Sequence, residues 1–273
     1  MTARIIAVAN RKGGVGKTTT TVNLAAELAS RGHRVLVVDL DPQGHAGLGL
    51  DVVASRLEAT VHQVFRDGQI DLALAVKKSC VTGVDVMPAQ QEFDVHGAVN
   101  DPRILARGLA AFEDRYDEIV IDTSPSIDVT TVAALTTAHY VLIPTQLHHL
   151  AYDGIVRFSK VLLGVASMVN RRFADLAVVP VQIDVRTHLQ RIVLAKLLKE
   201  FGPKRVLRGI RTDISLAEAF GSRQPVRVYR PHSRAATDYA LLADDIVSLW
   251  IVDRRRPDLA DRRAQAFDSA PAA

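Results

Sequence analysis

The 273-residue sequence lacks the features that define several protein classes. Its single cysteine, Cys80, excludes a disulfide framework within the chain and argues against an iron–sulfur centre, which needs several thiolates. It has no run of about 20 apolar residues and no signal peptide, so we expect a cytoplasmic protein. Zinc-ligand spacing, internal repeats and long linkers are also absent, so the sequence must be interpreted from its strand and helix patterns.

The composition is that of a folded protein, with 48% hydrophobic and 23% charged residues. Apolar runs typical of buried strands alternate with stretches of helical periodicity from Ile5 to about Trp250. This alternation predicts an α/β fold with a doubly wound, mostly parallel sheet and helices on both faces. We expect residues 1–252 to form one domain and residues 253–273 to be a polar, flexible tail.

A glycine-rich loop joins the first predicted strand to the first predicted helix, which is the context of a phosphate-binding loop. Its glycines let backbone N–H groups close around phosphate oxygens, and the helix N-terminus adds partial positive charge. We expect Lys17 to reach the β- and γ-phosphates and the Thr18 hydroxyl to bind Mg²⁺. The predicted nucleotide-binding loop consists of Lys12, Gly13, Gly14, Val15, Gly16, Lys17, Thr18 and Thr19.

This loop departs from the ordinary phosphate-loop pattern. Position 11, where the first glycine would stand, is an arginine, and Lys12 directly precedes two glycines. In this respect the chain resembles the deviant Walker ATPases of the ParA type, and the resemblance extends over nearly the whole chain. It implies ATP hydrolysis with ATP and Mg²⁺ as cofactors. It also implies an ATP-dependent homodimer in which Lys12 reaches the partner's ATP.

Two predicted strands end in carboxylates, which should face the loop because carboxyl ends of parallel strands meet in one crevice. The first is followed by Asp39-Leu40-Asp41-Pro42-Gln43-Gly44. The resemblance assigns Asp41 to positioning the attacking water and Asp39 to the Mg²⁺ side. The second strand ends at Asp122, which we expect to hold Mg²⁺ through a water molecule. The family usually has Asp-x-Pro-Pro there, whereas this chain has Ser124 in place of the first proline.

Positive charge is concentrated between residues 185 and 234, where twelve basic residues face three acids, against a net charge of +4 for the chain. This local excess favours non-specific binding to the DNA backbone, although a solvated helix face is the alternative. The family's arginines are missing at Thr212 and Ser215, and nearby arginines can replace them. The candidates for DNA contact are Arg208, Arg211, Arg223 and Arg227, with Lys196, Lys199, Lys204 and Arg205 as the second choice. Arg211 is also a candidate for the adenine pocket.

The resemblance implies a short-form partition ATPase without an N-terminal DNA-reading domain, acting at the nucleoid and stimulated by a ParB-type partner. Its cargo, whether a plasmid, a chromosome or a protein assembly, stays open. A membrane regulator of the MinD type is one alternative, but residues 254–273 offer only Leu259 and Phe267 as bulky apolar anchors, so we expect no membrane binding. A metabolic P-loop enzyme with a small-molecule acceptor is the other, and Lys12 counts against it.

Overall fold

The computed structural model describes residues 2–67, 71–184 and 186–251, and the predicted tail lies outside the described residues. The strands are β1 (Arg4–Val8), β2 (Val35–Asp39), β3 (Lys77–Lys78), β4 (Val84–Met87), β5 (Glu118–Asp122), β6 (Tyr140–Gln146), β7 (Asp175–Ile183) and β8 (Ile210–Arg211). Within this part of the chain they form one sheet in the order β3-β4-β2-β5-β1-β6-β7-β8. Strand β3 runs antiparallel to β4, and the other neighbours are parallel.

Helices cover both faces of the sheet, so the predicted doubly wound α/β fold is confirmed. They are α1 (Lys17–Ser30), α2 (His45–Leu48), α3 (Val64–Asp67), α4 (Ile104–Leu109), α5 (Val129–Thr137), α6 (His149–Val169), α7 (His188–Phe201), α8 (Ser215–Gly221), α9 (Val226–Tyr229) and α10 (Arg234–Ile246). None of the helices in the described ranges is long and apolar enough to cross a membrane.

Strand β1 shows how the apolar sequence builds two cores. Successive side chains of a strand point to opposite faces. Ile5 and Ala7 accordingly pack under α4, α5, α6 and α7, whereas Ile6 and Val8 pack under α1 and α10. The strand is therefore buried on both sides, as its unbroken apolar run predicts.

The strand register brings the carboxyl ends of the central strands level with one another. Val8 of β1 pairs with Asp122 of β5, which in turn pairs with Asp39 of β2. The glycine-rich loop follows β1 directly, so the loop and both carboxylates share one edge of the sheet. The order of strands reverses around β1, where ligands of open α/β sheets bind.

Candidate active site

The glycine-rich loop forms an open cradle at the N-terminus of α1. Gly14 and Gly16 have φ values of +71° and +75°, in the left-handed region that glycine adopts without strain. A Cβ atom added at Gly13, Gly14 or Gly16 would meet no neighbouring atom within 4 Å. The side chain of Val15 is fully buried, so it fixes the loop against the protein interior. The backbone is therefore bare on the side where an anion can approach the helix N-terminus.

Lys17 lies inside this cradle, with only 7% of its surface exposed. Its Nζ atom donates a 3.4 Å hydrogen bond to the backbone carbonyl of Lys12, which curls the loop around the ammonium group. Burial lowers the pKa of Lys17, whereas the carboxylates of Asp122 and Asp41 act in the opposite direction. An ammonium group with one weak partner in a buried cradle is suited to binding phosphate oxygens.

Thr18 and Asp122 are brought into direct contact. The Thr18 hydroxyl donates a 2.7 Å hydrogen bond to Oδ2 of Asp122, and the Thr21 hydroxyl donates a 3.1 Å bond to Oδ1. Asp122 is fully buried, and burial raises its pKa to about 7, against the lowering effect of the hydrogen bond from Thr18. The predicted partners in Mg²⁺ binding thus lie side by side.

Asp39 and Asp41 occupy different environments. Asp39 is fully buried, and its two carboxylate oxygens accept the backbone N–H groups of Asp41, at 3.2 Å, and Gly47, at 2.9 Å. Burial and the neighbouring Asp122 raise the pKa of Asp39 well above its ordinary value. Asp41 is half-buried at the start of the turn and accepts the N–H of Gln43. A Mg²⁺ role for Asp39 stays a prediction, since its contacts instead favour holding the loop that carries Asp41.

Lys12 differs from Lys17 in its exposure and in its contacts. Its side chain is exposed, and its Nζ atom lies 2.8 Å from Oε1 of Gln146 and 2.7 Å from Nε2 of His148. Burial, and then the charges of Lys12 and His149, lower the pKa of His148. The two lysines of the loop are therefore not equivalent: Lys17 lines the cradle, and Lys12 is held by the segment between β6 and α6.

A cavity of about 480 Å³ opens beside the start of α1 and is lined by Gly16, Thr19, Gln182, Arg211 and Tyr239, among others. Arg211 is fixed there by Asp238, which accepts hydrogen bonds from the guanidinium group at 2.7–3.1 Å. These hydrogen bonds raise the pKa of the Arg211 guanidinium group above its ordinary value, so the group stays charged. Arg211 therefore lines a cavity beside the phosphate loop, and its predicted roles at adenine or at DNA both stay predictions.

The other arginines predicted to contact DNA are also bound to carboxylates. Arg208 pairs with Asp245, Arg223 with Asp51 at 3.3 Å, and Arg227 with the buried Glu27 at 3.1 Å. All these carboxylates lie outside residues 185–234, so a charge count over that window overstates the free positive charge. A DNA-binding role for these four arginines stays a prediction, and it requires each guanidinium group to exchange its carboxylate for a phosphate.

The residues of the second choice differ from the four arginines in their contacts. Arg205, which follows α7, pairs with Asp175 at 2.7 Å, whereas Lys196, Lys199 and Lys204 form no ion pair within the described residues. We call the α7 basic surface the exposed residues Arg191, Lys196, Lys199 and Lys204, none of which forms an ion pair within the described part of the chain.

Two residues that support the site were missed by the sequence analysis. Asn10 accepts the N–H of Lys12 and donates to the carbonyl of Pro144, so it ties the loop to β6. His62 is buried and bonds the carbonyl of Leu40, the residue before Asp41. Asn10 directly precedes the loop, which is a usable signal, whereas nothing in the sequence points to His62.

The residues present fit both phosphate and magnesium. The bare glycine backbone and Lys17 provide donors for phosphate oxygens. The hydroxyl of Thr18 and the carboxylate of Asp122 are hard oxygen ligands, which Mg²⁺ prefers. Mg²⁺ held there by Thr18 and Asp122 would supply positive charge beside the phosphates. The chain's own residues offer donors for phosphate oxygens and place the hydroxyl of Thr18 beside the carboxylate of Asp122.

Comparisons with known proteins agree with this geometry. The AAA-domain family model matches residues 3–183. The sporulation initiation inhibitor protein Soj of Bacillus subtilis is 35% identical over 250 residues, covering 90% of this chain and 98% of Soj. The chromosome partitioning protein ParA of Caulobacter vibrioides is 32% identical over 254 residues, covering 90% of this chain and 94% of that protein.

Among solved structures, cobyrinic acid a,c-diamide synthase from Mycobacterium smegmatis with bound ADP and magnesium superimposes with a TM-score of 0.74. It is 30% identical and the match covers 94% of this chain and 99% of that chain. These matches cover 90–94% of this chain, so they extend over nearly all of the fold described above. This chain belongs to the ParA-type P-loop ATPases of the AAA-domain family, with ATP as its substrate and Mg²⁺ as its cofactor.

Proposed function

We propose that ATP closes this partition or positioning ATPase into a homodimer that binds DNA without sequence preference. A partner protein of ParB type then stimulates hydrolysis, and the dimer leaves the DNA. The names of the Bacillus subtilis and Caulobacter vibrioides relatives support a role of this kind. The cargo is DNA, as a plasmid or chromosome, or a protein assembly, and the bound form associates with the nucleoid.

The position of Lys12 carries the proposal. A second lysine within the loop is redundant for a cradle that already contains Lys17, yet Lys12 is exposed and bound to side chains outside the loop. Its backbone N–H is fixed by Asn10, so only the side chain has to move to reach another subunit. An exposed cation on a long side chain at the rim of a phosphate site suits contact with a partner's phosphates.

We further propose the roles of the other site residues. Lys17 binds the β- and γ-phosphates, Thr18 and Asp122 hold Mg²⁺, and Asp41 positions the attacking water. Arg211, fixed by Asp238, borders the base. Asp39 and Asp122 are buried, whereas Asp41 is half-buried. This difference supports the role proposed for Asp41, because the group that positions the water must reach the substrate.

DNA binding is assigned to the α7 basic surface. Its cations are exposed and have no ion pair within the described ranges, so no carboxylate has to be displaced when they meet phosphates. One subunit offers few phosphate contacts, and a dimer doubles them, so affinity rises steeply on dimerisation. This step links ATP binding to DNA binding.

Light scattering tests the dimer directly. The wild type should sediment or scatter as a dimer with ATP and Mg²⁺ and as a monomer with ADP. Lys12→Ala should bind ATP and stay monomeric, whereas Lys199→Ala, which removes an equal charge far along the chain, should dimerise. If the Lys12→Ala protein still dimerises with ATP, Lys12 acts only within its own subunit.

A second candidate function follows from the Mycobacterium smegmatis structure, whose name describes an amide-forming enzyme. A cavity of about 360 Å³ beside Lys12 is also lined by Arg11 and Arg157, which suits an anionic acceptor. On this alternative, ATP hydrolysis would depend on a small carboxylate substrate and not on DNA. ATPase assays with DNA, or with a cobyrinic-acid-type polycarboxylate, distinguish the two functions.

A further inference from the structure

The contact that holds Lys12 is one end of a longer chain of hydrogen bonds. Lys12 donates to Oε1 of Gln146, the last residue of β6, over 2.8 Å. The side-chain nitrogen of the same Gln146 donates over 2.6 Å to Oε1 of Gln182, on β7. Both bonds require one orientation of the Gln146 amide, with its oxygen toward Lys12 and its nitrogen toward Gln182.

The other end of this chain lies in the base pocket. Gln182 lines that cavity together with Gly16, Thr19 and Arg211. Its backbone has a φ of +54°, a left-handed conformation that a non-glycine residue adopts only when its surroundings impose it. Its side-chain nitrogen has no hydrogen-bond partner within the described ranges, and Gln182 is exposed, so this nitrogen is available as a donor.

We propose that Gln146 and Gln182 are positioning residues that couple the base pocket to Lys12, so that a base in the pocket weakens the hold of its own subunit on Lys12. A base engages the Gln182 amide, Gln182 withdraws its oxygen from Gln146, and the Gln146 amide no longer has to point its oxygen at Lys12. Nε2 of His148 then remains as the one partner of the Lys12 amine within the described residues. The proposal rests on the proposed function in two respects, namely that the cavity beside α1 holds the base and that the released Lys12 serves the dimer.

The direction of the coupling follows from the donor and acceptor groups of the Gln182 amide. A glutamine amide has one oxygen and one NH₂ group, and Gln182 uses its oxygen on Gln146. A purine edge offers both acceptors and donors, so it competes for that oxygen while also engaging the free nitrogen. Since the base contacts differ between the two arrangements of Gln182, base binding shifts their populations, and by reciprocity the release of Lys12 strengthens base binding.

Amine labelling of Lys12 tests the coupling in the full-length protein. A brief pulse of an acetylating reagent, followed by peptide mass spectrometry, reports how available the Lys12 amine is. Saturating adenosine, which carries a base but no phosphate, should raise the labelling rate of wild-type Lys12 at least about threefold, a shift that a modest coupling supplies. Pyrophosphate, which has no base, should not raise it.

Three variants separate the coupling from a structural effect. Gln146→Ala should label rapidly at Lys12 without adenosine. Gln182→Ala should lose the response to adenosine while keeping its thermal stability. Gln146→Glu is the matched control, because a carboxylate holds Lys12 by charge but cannot donate to Gln182, so Lys12 should stay protected with or without adenosine.

The proposal is overturned if adenosine leaves wild-type labelling unchanged, or if Gln146→Glu or Gln182→Ala still responds. Light scattering of the wild type with ATP keeps this outcome separate from the proposed function. If adenosine does not change Lys12 labelling but the protein dimerises with ATP, only the proposed coupling is wrong. Absence of an ATP-dependent dimer removes the proposed function, whatever the labelling shows.

Discussion

The hydroxyl of Thr18, at the start of α1, lies 2.7 Å from the carboxylate of Asp122, at the end of β5. These residues are more than a hundred positions apart in the chain, and the register of β1 against β5 brings them together. The contact joins the glycine-rich loop to the carboxylate at the end of β5. Burial makes the ionised form of this carboxylate costly, which gives the first prediction.

Asp122→Asn should make the nucleotide-free protein more stable at pH 8 but unable to gain stability from Mg²⁺-ATP. The pKa of Asp122 is raised to about 7, so the folded state binds more protons than the unfolded chain below pH 7, and stability is lost as pH rises. The Asp122→Asn variant does not undergo this loss, so it should be at least about 1 kcal/mol more stable than wild type at pH 8. Urea denaturation at pH 6 and pH 8 measures it, and a variant less stable than wild type at pH 8 would contradict it.

Lys17→Ala should weaken ATP binding by about 10- to 100-fold, since a charge-assisted hydrogen bond contributes about 1.5–3 kcal/mol. Lys12→Ala removes the same charge from the same loop and is the matched control. It should leave the affinity of the monomer nearly unchanged, because the Lys12 amine binds Gln146 and His148 instead. Calorimetric titration with a non-hydrolysable ATP analogue measures both, and equal losses would show that the two lysines share one role.

Asp41→Asn should bind ATP and dimerise but hydrolyse ATP at least about 100-fold more slowly, because only the positioning of water is lost. Asp39→Asn is the informative comparison. Its oxygens hold the backbone of Asp41 and Gly47, so it should impair stability and hydrolysis together. Phosphate release at saturating ATP, with light scattering on the same samples, measures this. Normal hydrolysis by Asp41→Asn would move the catalytic role elsewhere.

His62 should make the protein sensitive to acid. Its Nδ1 accepts the N–H of Gln90, so the ring is neutral with its proton on Nε2, which donates to Leu40. Burial lowers the pKa of His62 to about 4, against an ordinary value of about 6.5. Between these two pKa values the unfolded chain therefore binds more protons than the folded protein. The free energy of unfolding falls as the pH is lowered through this range, by up to about 1.4 kcal/mol per pH unit.

His62→Gln, which does not titrate, should lose less stability than wild type between pH 6.5 and pH 4.5. Urea denaturation across that range provides the measurement. Parallel pH profiles for the two proteins would show that the acid sensitivity has another origin.

The fold and the phosphate loop could be predicted from the sequence because their signals are local. The apolar run before Lys12 and the glycines around Val15 specify a strand, a turn and a helix without reference to the rest of the chain. The end of a strand is equally readable, and Asp122 lies where its apolar run predicts, at the last position of β5.

Which arginines are paired with acids could not be predicted in this way, because their partners are distant in sequence. Arg227 is bound by Glu27 and Arg223 by Asp51, and neither acid belongs to the stretch of sequence in which the arginines cluster. Support from across the fold is equally hidden. His62 bonds the backbone beside Asp41 from a different segment, and no spacing rule connects the two.

The central claim is that ATP assembles a DNA-binding dimer, and DNA affinity as a function of nucleotide and salt tests it most directly. Fluorescence anisotropy with a labelled duplex of arbitrary sequence should show binding with ATP and none with ADP. Affinity should fall with salt, with a log–log slope of about −0.9 per phosphate contact. The triple variant Lys196→Ala, Lys199→Ala, Lys204→Ala should flatten that slope by roughly one unit for each lysine–phosphate pair that it removes in each subunit. The double variant Arg223→Ala, Arg227→Ala, whose arginines are already paired, should keep it. Equal binding with ADP and ATP, or an unchanged slope in the triple variant, would contradict the account.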